Sequence, residues 1–159
     1  VYGEEQSDKQ VAKRESEKTS PVVMPDVRSA GTESGKAGAI REALNQWIDA
    51  TNTRDIEKQM SFYMPELKAF YLTRNASRNS VRAVKTRAFA AAKSIVIRAA
   101  EPEIIFQDGG RMAIMRFRKK YRVENDTKTR SGEVIQELRW QQTDSGWRIF
   151  SERDIKVLR

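Results

Sequence analysis

The apolar residues of this chain change their spacing near residue 93, and this change limits the folds that the chain can adopt. Before it, Ile40, Leu44 and Trp47 recur at intervals of three and four residues, with Ala43 and Ile48 beside them. This is the pattern of one buried helical face. After Lys93 the period is two, and β-branched residues become frequent, as in strands with one buried face. Helices followed by strands predict an α+β fold.

Two more helices and a set of long strands complete the predicted order. A second helix starts at Asp55 and ends before Pro65, and a third starts at Ser77 or Ser80. The segment between them, "ELKAFYL" (66–72), is interpreted as an apolar connector. For the third helix the spacing predicts a buried face made of Val81, Val84, Ala88, Phe89 and Ala92.

The strands are predicted to form a strongly curved antiparallel sheet. "QDGGR" (107–111) carries the Asp-Gly turn signal of a hairpin, and "NDTKT" (125–129) and "DSG" (144–146) mark two further turns. The prediction is therefore three N-terminal helices packed on this sheet.

Residues 1–37 differ in composition from the rest of the chain. They are polar, contain two prolines and lack the apolar periodicity that would favour ordering. Their charges nearly cancel, so the net charge of +8 arises from the body. We predict a flexible linker or arm over 1–37 and one folded domain over 38–159. Because the chain begins at Val1, we expect a processed product.

A basic strand, "RMAIMRFRKKYRVEN" (111–125), is the most unusual segment of the body. Alternation divides it into two rows of side chains. One row is apolar apart from Lys119 and is expected to face the helices. The other becomes cationic and should form a solvated basic face, with Arg116, Arg118, Lys120 and Arg122. Lys119 is thus predicted to point inward, its stem packed and its ammonium group near Tyr121.

Several site classes are disfavoured by the residues that the chain lacks. Histidine and cysteine are absent, which removes the commonest metal ligands and the usual general base. Neither a calcium loop nor a glycine-rich phosphate loop occurs, and no stretch is long and apolar enough to span a membrane. We therefore predict no metal, no cofactor and no catalytic residue.

The order of elements and four motifs resemble the nuclear transport factor 2-like (SnoaL, cystatin-like cone) superfamily. Within it, the chain is most similar to a small C-terminal domain of bacterial L,D-transpeptidase-related and tetratricopeptide envelope proteins. The resemblance covers about 39–155 and does not include the arm. It rests on a Trp-Asp-Tyr series, an Arg late in the third helix, a Phe-Arg-Xaa-Xaa-Tyr strand and a closing Trp-Arg-Ile strand: Trp47, Asp55, Tyr63, Arg87, 117–121 and 147–152.

The chain departs from the family pattern where the pattern would define a ligand. Lys119 replaces a Gln, Gln136 replaces a Lys, and the expected third-helix Trp is Ala83 or Val84. The resemblance implies a pocket between helices and sheet. We predict that it holds a small or peptide-like ligand with an acidic group, and that it is lined by Trp47, Tyr63, Phe117, Lys119, Tyr121, Gln136 and Glu152.

The resemblance also implies a setting, a non-catalytic binding or scaffolding domain of the bacterial envelope. The predicted location is periplasmic or secreted, with a protein partner or a homodimer formed through the sheet, for which Met112, Ile114 and Arg116 offer a seam.

Two other functions stay open. The first is an acid–base enzyme of the ketosteroid isomerase or SnoaL type, with Tyr63, Tyr71 and Tyr121 as donors and Glu137, Glu152 or Asp154 as base. The second is polyanion or nucleic-acid binding through the basic face. Specific nucleic-acid binding is disfavoured because Phe117 and Tyr121 alternate away from the arginines and cannot stack bases beside them.

Overall fold

A computed structural model describes residues 32–159, so most of the predicted arm lies outside the described residues. Its helices are α1 (Glu33–Thr53), α2 (Ile56–Met60) and α3 (Arg78–Ala91). Its strands are β1 (Glu66–Phe70), β2 (Thr73–Ser77), β3 (Ala92–Gln107), β4 (Met112–Asn125), β5 (Thr129–Thr143) and β6 (Gly146–Val157).

Helix α1 buries the face that the sequence predicts. Ile40, Leu44 and Trp47 are each at most 2% exposed. The helix begins at Glu33, earlier than expected, and the Thr32 hydroxyl accepts a hydrogen bond from the Gly35 backbone N–H at 2.9 Å. Residues 33–37, assigned to the arm from composition, are therefore its first turns.

Polar residues determine where the helices begin and end. Arg54, with a φ of 57°, ends α1 in the left-handed conformation. Asp55 then caps α2, its carboxylate accepting from the Lys58 backbone N–H at 3.1 Å, as the sequence suggests. Ser77 caps α3 by accepting from the Ser80 N–H, also at 3.1 Å.

The prediction of a connector over 66–72 was wrong. Residues 66–77 form an antiparallel hairpin, β1 and β2, and β1 also pairs in parallel with β6 at Ala69–Ser151 and Phe70–Glu152. The hairpin separates α2 from α3, so the three helices do not run consecutively. Leu67, Phe70 and Ala76 are its buried residues, and all three belong to the core.

The inward face of α3 also differs from the prediction. Val81 is fully buried, but Val84 is 42% exposed and Ala88 is exposed. The residues that turn inward lie four apart at Val81, Lys85 and Phe89, so a lysine occupies the middle of this row.

All six strands form one sheet in the order β2-β1-β6-β5-β4-β3. The long strands β3 to β6 pair antiparallel with their sequence neighbours, as the turn signals predict. Helices α1 and α3 pack on one side, where the core joins Ile40, Leu44 and Trp47 to strand residues such as Met115 and Leu138. The α+β class is confirmed, and we refer to this side as the helix-facing side and to the opposite one as the outer face.

Strand β4 shows the alternation that divides the basic segment. Ala113, Met115, Phe117 and Lys119 are buried on the helix-facing side, Lys119 with 8% exposure. The side chains of Arg116, Arg118, Lys120 and Arg122 are exposed on the outer face.

Candidate functional site

Among residues 32–159, Glu152 of β6 is the one buried carboxylate on the helix-facing side, and it has no exposed surface. The Tyr63 hydroxyl donates to its Oε1 at 2.5 Å. The Tyr71 hydroxyl donates to Oε2 at 3.0 Å, and Lys85 Nζ donates to the same oxygen at 2.9 Å. Both oxygens are therefore engaged by protein donors. We call these four residues the Glu152 cluster.

Two chains of hydrogen bonds end at Glu152. Trp47 Nε1 donates to the Tyr63 hydroxyl at 3.1 Å, and that hydroxyl donates onward to the carboxylate. Gln136 Nε2 donates to the Tyr71 hydroxyl at 3.2 Å, and the Tyr71 hydroxyl in turn donates to the Glu152 carboxylate. Buried chains of this kind fix the orientation of every member, because each hydroxyl has only one proton to give.

Lys85 of α3 is the functional residue that the sequence analysis missed. Its side chain is only 13% exposed. Its ammonium lies 5.3 Å from the ring centroid of Trp47, 5.6 Å from that of Tyr63 and 5.7 Å from that of Phe70. Rings at this distance stabilise a desolvated cation. The signal was the four-residue spacing from Val81, which places Lys85 on the inward face.

Charge complementarity shifts the pKa values inside the cluster. Burial raises the pKa of Glu152, but Lys85 and the hydrogen bonds that it accepts outweigh burial and lower it overall. Burial likewise opposes protonation of Lys85, yet the facing Glu152 carboxylate leaves its pKa raised. Burial first, and then the Glu152 charge, raise the pKa of Tyr63 and of Tyr71. The cluster thus holds a carboxylate, an ammonium and two neutral phenols.

Lys119 has a different environment from Lys85. Its side chain is 10% exposed, and its Nζ lies 3.7 Å from Oδ1 of Asp154, whose side chain is 34% exposed. The same ammonium lies 5.8 Å from the ring centroid of Tyr121. Burial lowers its pKa more than Asp154 and Glu152 raise it. Lys119 is therefore a buried cation with a loose and partly solvated partner.

The strand register groups Lys119 with two polar neighbours. Gln136 of β5 pairs with Phe117 of β4 on one side and with Asp154 of β6 on the other, and Lys119 follows Phe117 on the same row. Oε1 of Gln136 is buried and has no hydrogen-bond partner among the described residues. We call Lys119, Gln136, Asp154 and Tyr71 the Lys119 site.

The seven residues predicted to line a pocket all lie on the helix-facing side. Six of them are at most 8% exposed, and Tyr121 is half-buried. The structure brings Trp47, Tyr63, Gln136 and Glu152 into one hydrogen-bonded group, directly or through Tyr71. Tyr121 contacts Lys119, and its phenol lies too close to Gly132 to admit a side chain at that position.

Glu137, named as a candidate base, is not in this interior. It is fully buried on the outer face, opposite Arg116 in the register. It accepts from Arg116 at 3.0 Å, Arg139 at 2.9 Å and Arg153 at 3.0 Å. The three guanidinium groups lower its pKa although burial opposes them. A carboxylate held in this way cannot serve chemistry on the other side of the sheet.

Other cations of the outer face also have acidic partners. Arg118 contacts Glu133 at 3.2 Å and Glu101 at 3.8 Å, and Arg122 contacts Glu124 at 3.1 Å. The basic strand is therefore partly neutralised by carboxylates of neighbouring strands. Within residues 32–159 no group of three or more carboxylates could hold a metal ion, and no helix there is long and apolar enough to cross a membrane.

Solved structures similar to this chain share its fold at low sequence identity. A protein of the NTF2-like family from Streptomyces avermitilis, proposed to be a dehydratase, is 15% identical with a TM-score of 0.69, covering 80% of this chain and 100% of that one. An NTF2-like superfamily protein from Salmonella enterica serovar Typhimurium is 12% identical with a TM-score of 0.70, covering 80% and 95%.

A third similar structure belongs to a longer protein. Bd1075 from Bdellovibrio bacteriovorus is 16% identical with a TM-score of 0.63, and the match covers 77% of this chain but 42% of Bd1075. Among curated proteins, none matches this chain significantly. The family model of the SnoaL-like domain matches residues 40–153, which run from within α1 to the greater part of β6. The chain therefore belongs to the SnoaL-like domain family.

Proposed function

We propose that this domain binds, without catalysing a reaction, a small or peptide-like ligand that carries an acidic group. Lys119 receives that group. The observation that carries the proposal is the position of the Lys119 ammonium: its side chain is 10% exposed and its carboxylate partner, Asp154, lies 3.7 Å away, so that burial leaves its pKa lowered. A charge kept where folding disfavours it is typical of a functional site rather than of a stabilising contact.

The neighbours of Lys119 indicate how the rest of the ligand is recognised. Asp154 lies 3.7 Å from the ammonium and is partly solvated, so an incoming carboxylate can replace it at small cost. The unpartnered Oε1 of Gln136 accepts an N–H donor, as an amide or amine supplies. A carboxylate next to an N–H group is the chemistry of a peptide end, and the Tyr121 ring supplies apolar contact area.

The geometry of the pocket is part of this proposal. We infer that the sheet is curved strongly enough for the helices to leave an opening at Lys119, with Tyr71, 38% exposed, at its edge. The interior around Glu152 is filled by its own donors, so the ligand occupies the rim at the Lys119 site and the Glu152 cluster supports that rim from below.

An acid–base enzyme is the second candidate, and one observation favours it. Glu152 is a fully buried carboxylate beside two tyrosine hydroxyls, the arrangement that such chemistry requires. However, its oxygens already accept three hydrogen bonds and its pKa is lowered, which makes it a weak base. Glu152 in this state positions Tyr71 and Lys85, and we therefore assign binding before catalysis.

Polyanion or nucleic-acid binding over the whole basic face is the weaker alternative. Arg116, Arg118 and Arg122 each have an acidic partner, which reduces the field that a polyanion would meet. A smaller part of the face, at Arg98 and Lys120, is not neutralised in this way.

For the setting, we propose an envelope protein to which the residues before α1 connect the domain. The similarity to less than half of Bd1075 supports a domain that is joined to others in longer proteins. Pairing of two copies through Met112, Ile114 and Arg116 completes this proposal.

The test uses dipeptides with a free C-terminal carboxylate, paired with the same peptides as C-terminal amides. The free acids should raise the melting temperature of the wild-type protein and the amides should not. Lys119→Ala should abolish the shift. Asp154→Asn should enlarge it, because removing the competing carboxylate frees the Lys119 ammonium.

Lys68→Ala, the loss of an exposed lysine on β1, is the matched control and should leave the shift unchanged. Equal shifts for Lys119→Ala and wild type would contradict the proposal. So would stabilisation by the amides equal to that by the acids, since the acidic group would then contribute nothing.

A further inference from the structure

The outer face is divided into two halves of different charge balance. Around Glu137, three arginines all donate to one buried carboxylate. Toward the other end of β4, Lys120 and Arg122 lie in a concave surface of about 540 Å³ with Arg98 of β3. We call this concave surface the distal groove, and its further charged members are Glu133 and Arg159.

The distal groove carries more positive than negative charge. Glu133 is the acidic residue that lines it, and it already accepts from Arg118 at 3.2 Å and Arg159 at 2.8 Å. Glu133 also stands opposite Lys120 in the register but turns its oxygens to these arginines. Among residues 32–159, neither Lys120 nor Arg98 has a carboxylate partner.

These two unpaired cations lie side by side. Arg98 and Lys120 are register partners on β3 and β4, so their side chains leave the sheet on the same side at neighbouring positions. Two adjacent donors with free hydrogens can hold the oxygens of a single phosphate or carboxylate from two directions. Their charges also repel each other, and a bound anion would relieve that repulsion.

The floor of the groove is apolar. Val96 is 40% exposed there, and Tyr121 also lines the groove, although its ring leaves β4 on the helix-facing side. An apolar floor beside unpaired cations matches a molecule with a hydrophobic body and an anionic head.

We propose that the distal groove binds an amphipathic anion, with its phosphate or carboxylate head on Arg98 and Lys120 and its apolar part on Val96. The site is on the opposite side of the sheet from the buried ammonium of Lys119 and does not depend on the peptide-end proposal. The groove lies at one end of β4, and Met112 and Ile114 lie at the other end. Pairing of copies through Met112 and Ile114 would therefore leave the groove open.

Isothermal titration with n-octyl phosphate below its micelle concentration tests the proposal. Inorganic phosphate tests the head alone, and n-octyltrimethylammonium reverses the charge. Octyl phosphate should bind, inorganic phosphate more weakly, and the ammonium not at all. Lys120→Ala and Arg98→Ala should each weaken binding about tenfold, the effect of losing one charge-assisted hydrogen bond.

Lys156→Ala is the matched control, since Lys156 is exposed on the outer face of β6 and its loss removes the same charge. It should leave octyl phosphate binding unchanged. An equal loss in Lys156→Ala would show diffuse attraction and overturn the site, as would equal binding of the ammonium. Sedimentation with anionic phospholipid vesicles separates the sources: binding to vesicles identifies a lipid head, and binding to octyl phosphate alone identifies a soluble amphiphile.

Discussion

Lys85 and Lys119 show how much the surroundings decide what a buried lysine does. Both side chains are nearly buried, at 13% and 10% exposure. Lys85 faces a fully buried carboxylate at 2.9 Å and three aromatic rings, and its pKa is raised. Lys119 faces a partly solvated carboxylate at 3.7 Å, and its pKa is lowered. One of these charges stabilises the fold and the other opposes it.

Replacing Lys119 with Met should therefore stabilise the free protein. A lysine with a lowered folded pKa is penalised at every pH where both states are protonated, and the penalty disappears as pH rises toward its ordinary value of 10.5. We expect a gain of roughly 1 kcal/mol at pH 7 by urea denaturation, with a smaller gain at pH 10. Lys120→Met, on the exposed neighbour, should change stability by under about 0.5 kcal/mol. A clear loss of stability in Lys119→Met would contradict this account.

Lys85→Met should have the opposite effect. It leaves Glu152 buried without a cation, and breaking a buried pair costs about 3 kcal/mol. Without Lys85, the pKa of Glu152 should be raised, so the variant should recover part of its lost stability as the pH falls from 7 to 5. The stability of the wild type should stay constant over this range. Lys58→Met removes an exposed pair with Asp49 and should cost less than about 1 kcal/mol. Denaturant titrations of both variants at pH 7 and pH 5 measure the difference.

At the scale of elements, the features that depend on neighbouring residues in the sequence were predicted. The features that depend on partners far away in the sequence were not. The α1 face and the caps at Asp55 and Ser77 follow from short-range pattern. The hairpin 66–77 does not, because only three of its residues, Leu67, Phe70 and Ala76, are buried, and the pairing of β1 with β6 joins distant segments.

The candidate site was predicted in part for the same reason. Two-residue alternation was enough to separate Lys119 from its cationic neighbours. Glu137 could not be assigned a side of the sheet without the register of β5, which sets it opposite Arg116. Lys85 depended on which face of α3 meets the core, and the apolar residues Val84 and Ala88 suggested a different one.

Glu137 joins three strands through one carboxylate. Arg116 belongs to β4, Arg139 to β5 and Arg153 to β6. Glu137→Gln should leave three guanidinium groups in mutual repulsion and destabilise the domain by about 2 kcal/mol at low salt, discounted here for their partial exposure. Added salt screens that repulsion, so thermal melts at 1 M NaCl should show a smaller deficit. A deficit independent of salt would show that packing, not charge, is responsible. Thr143→Val, which removes turn hydrogen bonds at the end of β5 but alters no charge, is a control whose deficit salt should not reduce.

On the scale of the whole molecule, the Glu152 cluster connects elements that are far apart in the chain. Its donors come from the segment after α2, from the turn between β1 and β2, and from α3, while Trp47 and Gln136 attach α1 and β5. Loss of any one element exposes an unsatisfied charge or hydroxyl in the others. The described domain should therefore unfold as one cooperative unit.

Acid should test this connection directly. The folded pKa values of Glu152, Glu137 and Glu133 all lie below the ordinary value near 4.5, so their stabilisation is complete above that pH and is lost as pH falls through the lowered values. The melting temperature should stay level from pH 7 to about pH 5 and then fall steeply. Tryptophan fluorescence and far-ultraviolet circular dichroism should give the same midpoint, and different midpoints would disprove a single unit. The melting temperature of the Glu152→Gln variant should fall less steeply below pH 4.5 than that of the wild type.

The lowered pKa of Lys119 also makes its amine a site for selective chemical labelling. An amine reacts with acylating reagents only when it has lost its proton, and among the two inward lysines Lys119 gives up that proton more readily while Lys85 retains it. Brief acetylation at mildly alkaline pH, followed by peptide mass mapping, should therefore modify Lys119 before Lys85. A molecule seated on that nitrogen would slow the modification, so the rate of acetylation would report occupancy whatever the identity of that molecule.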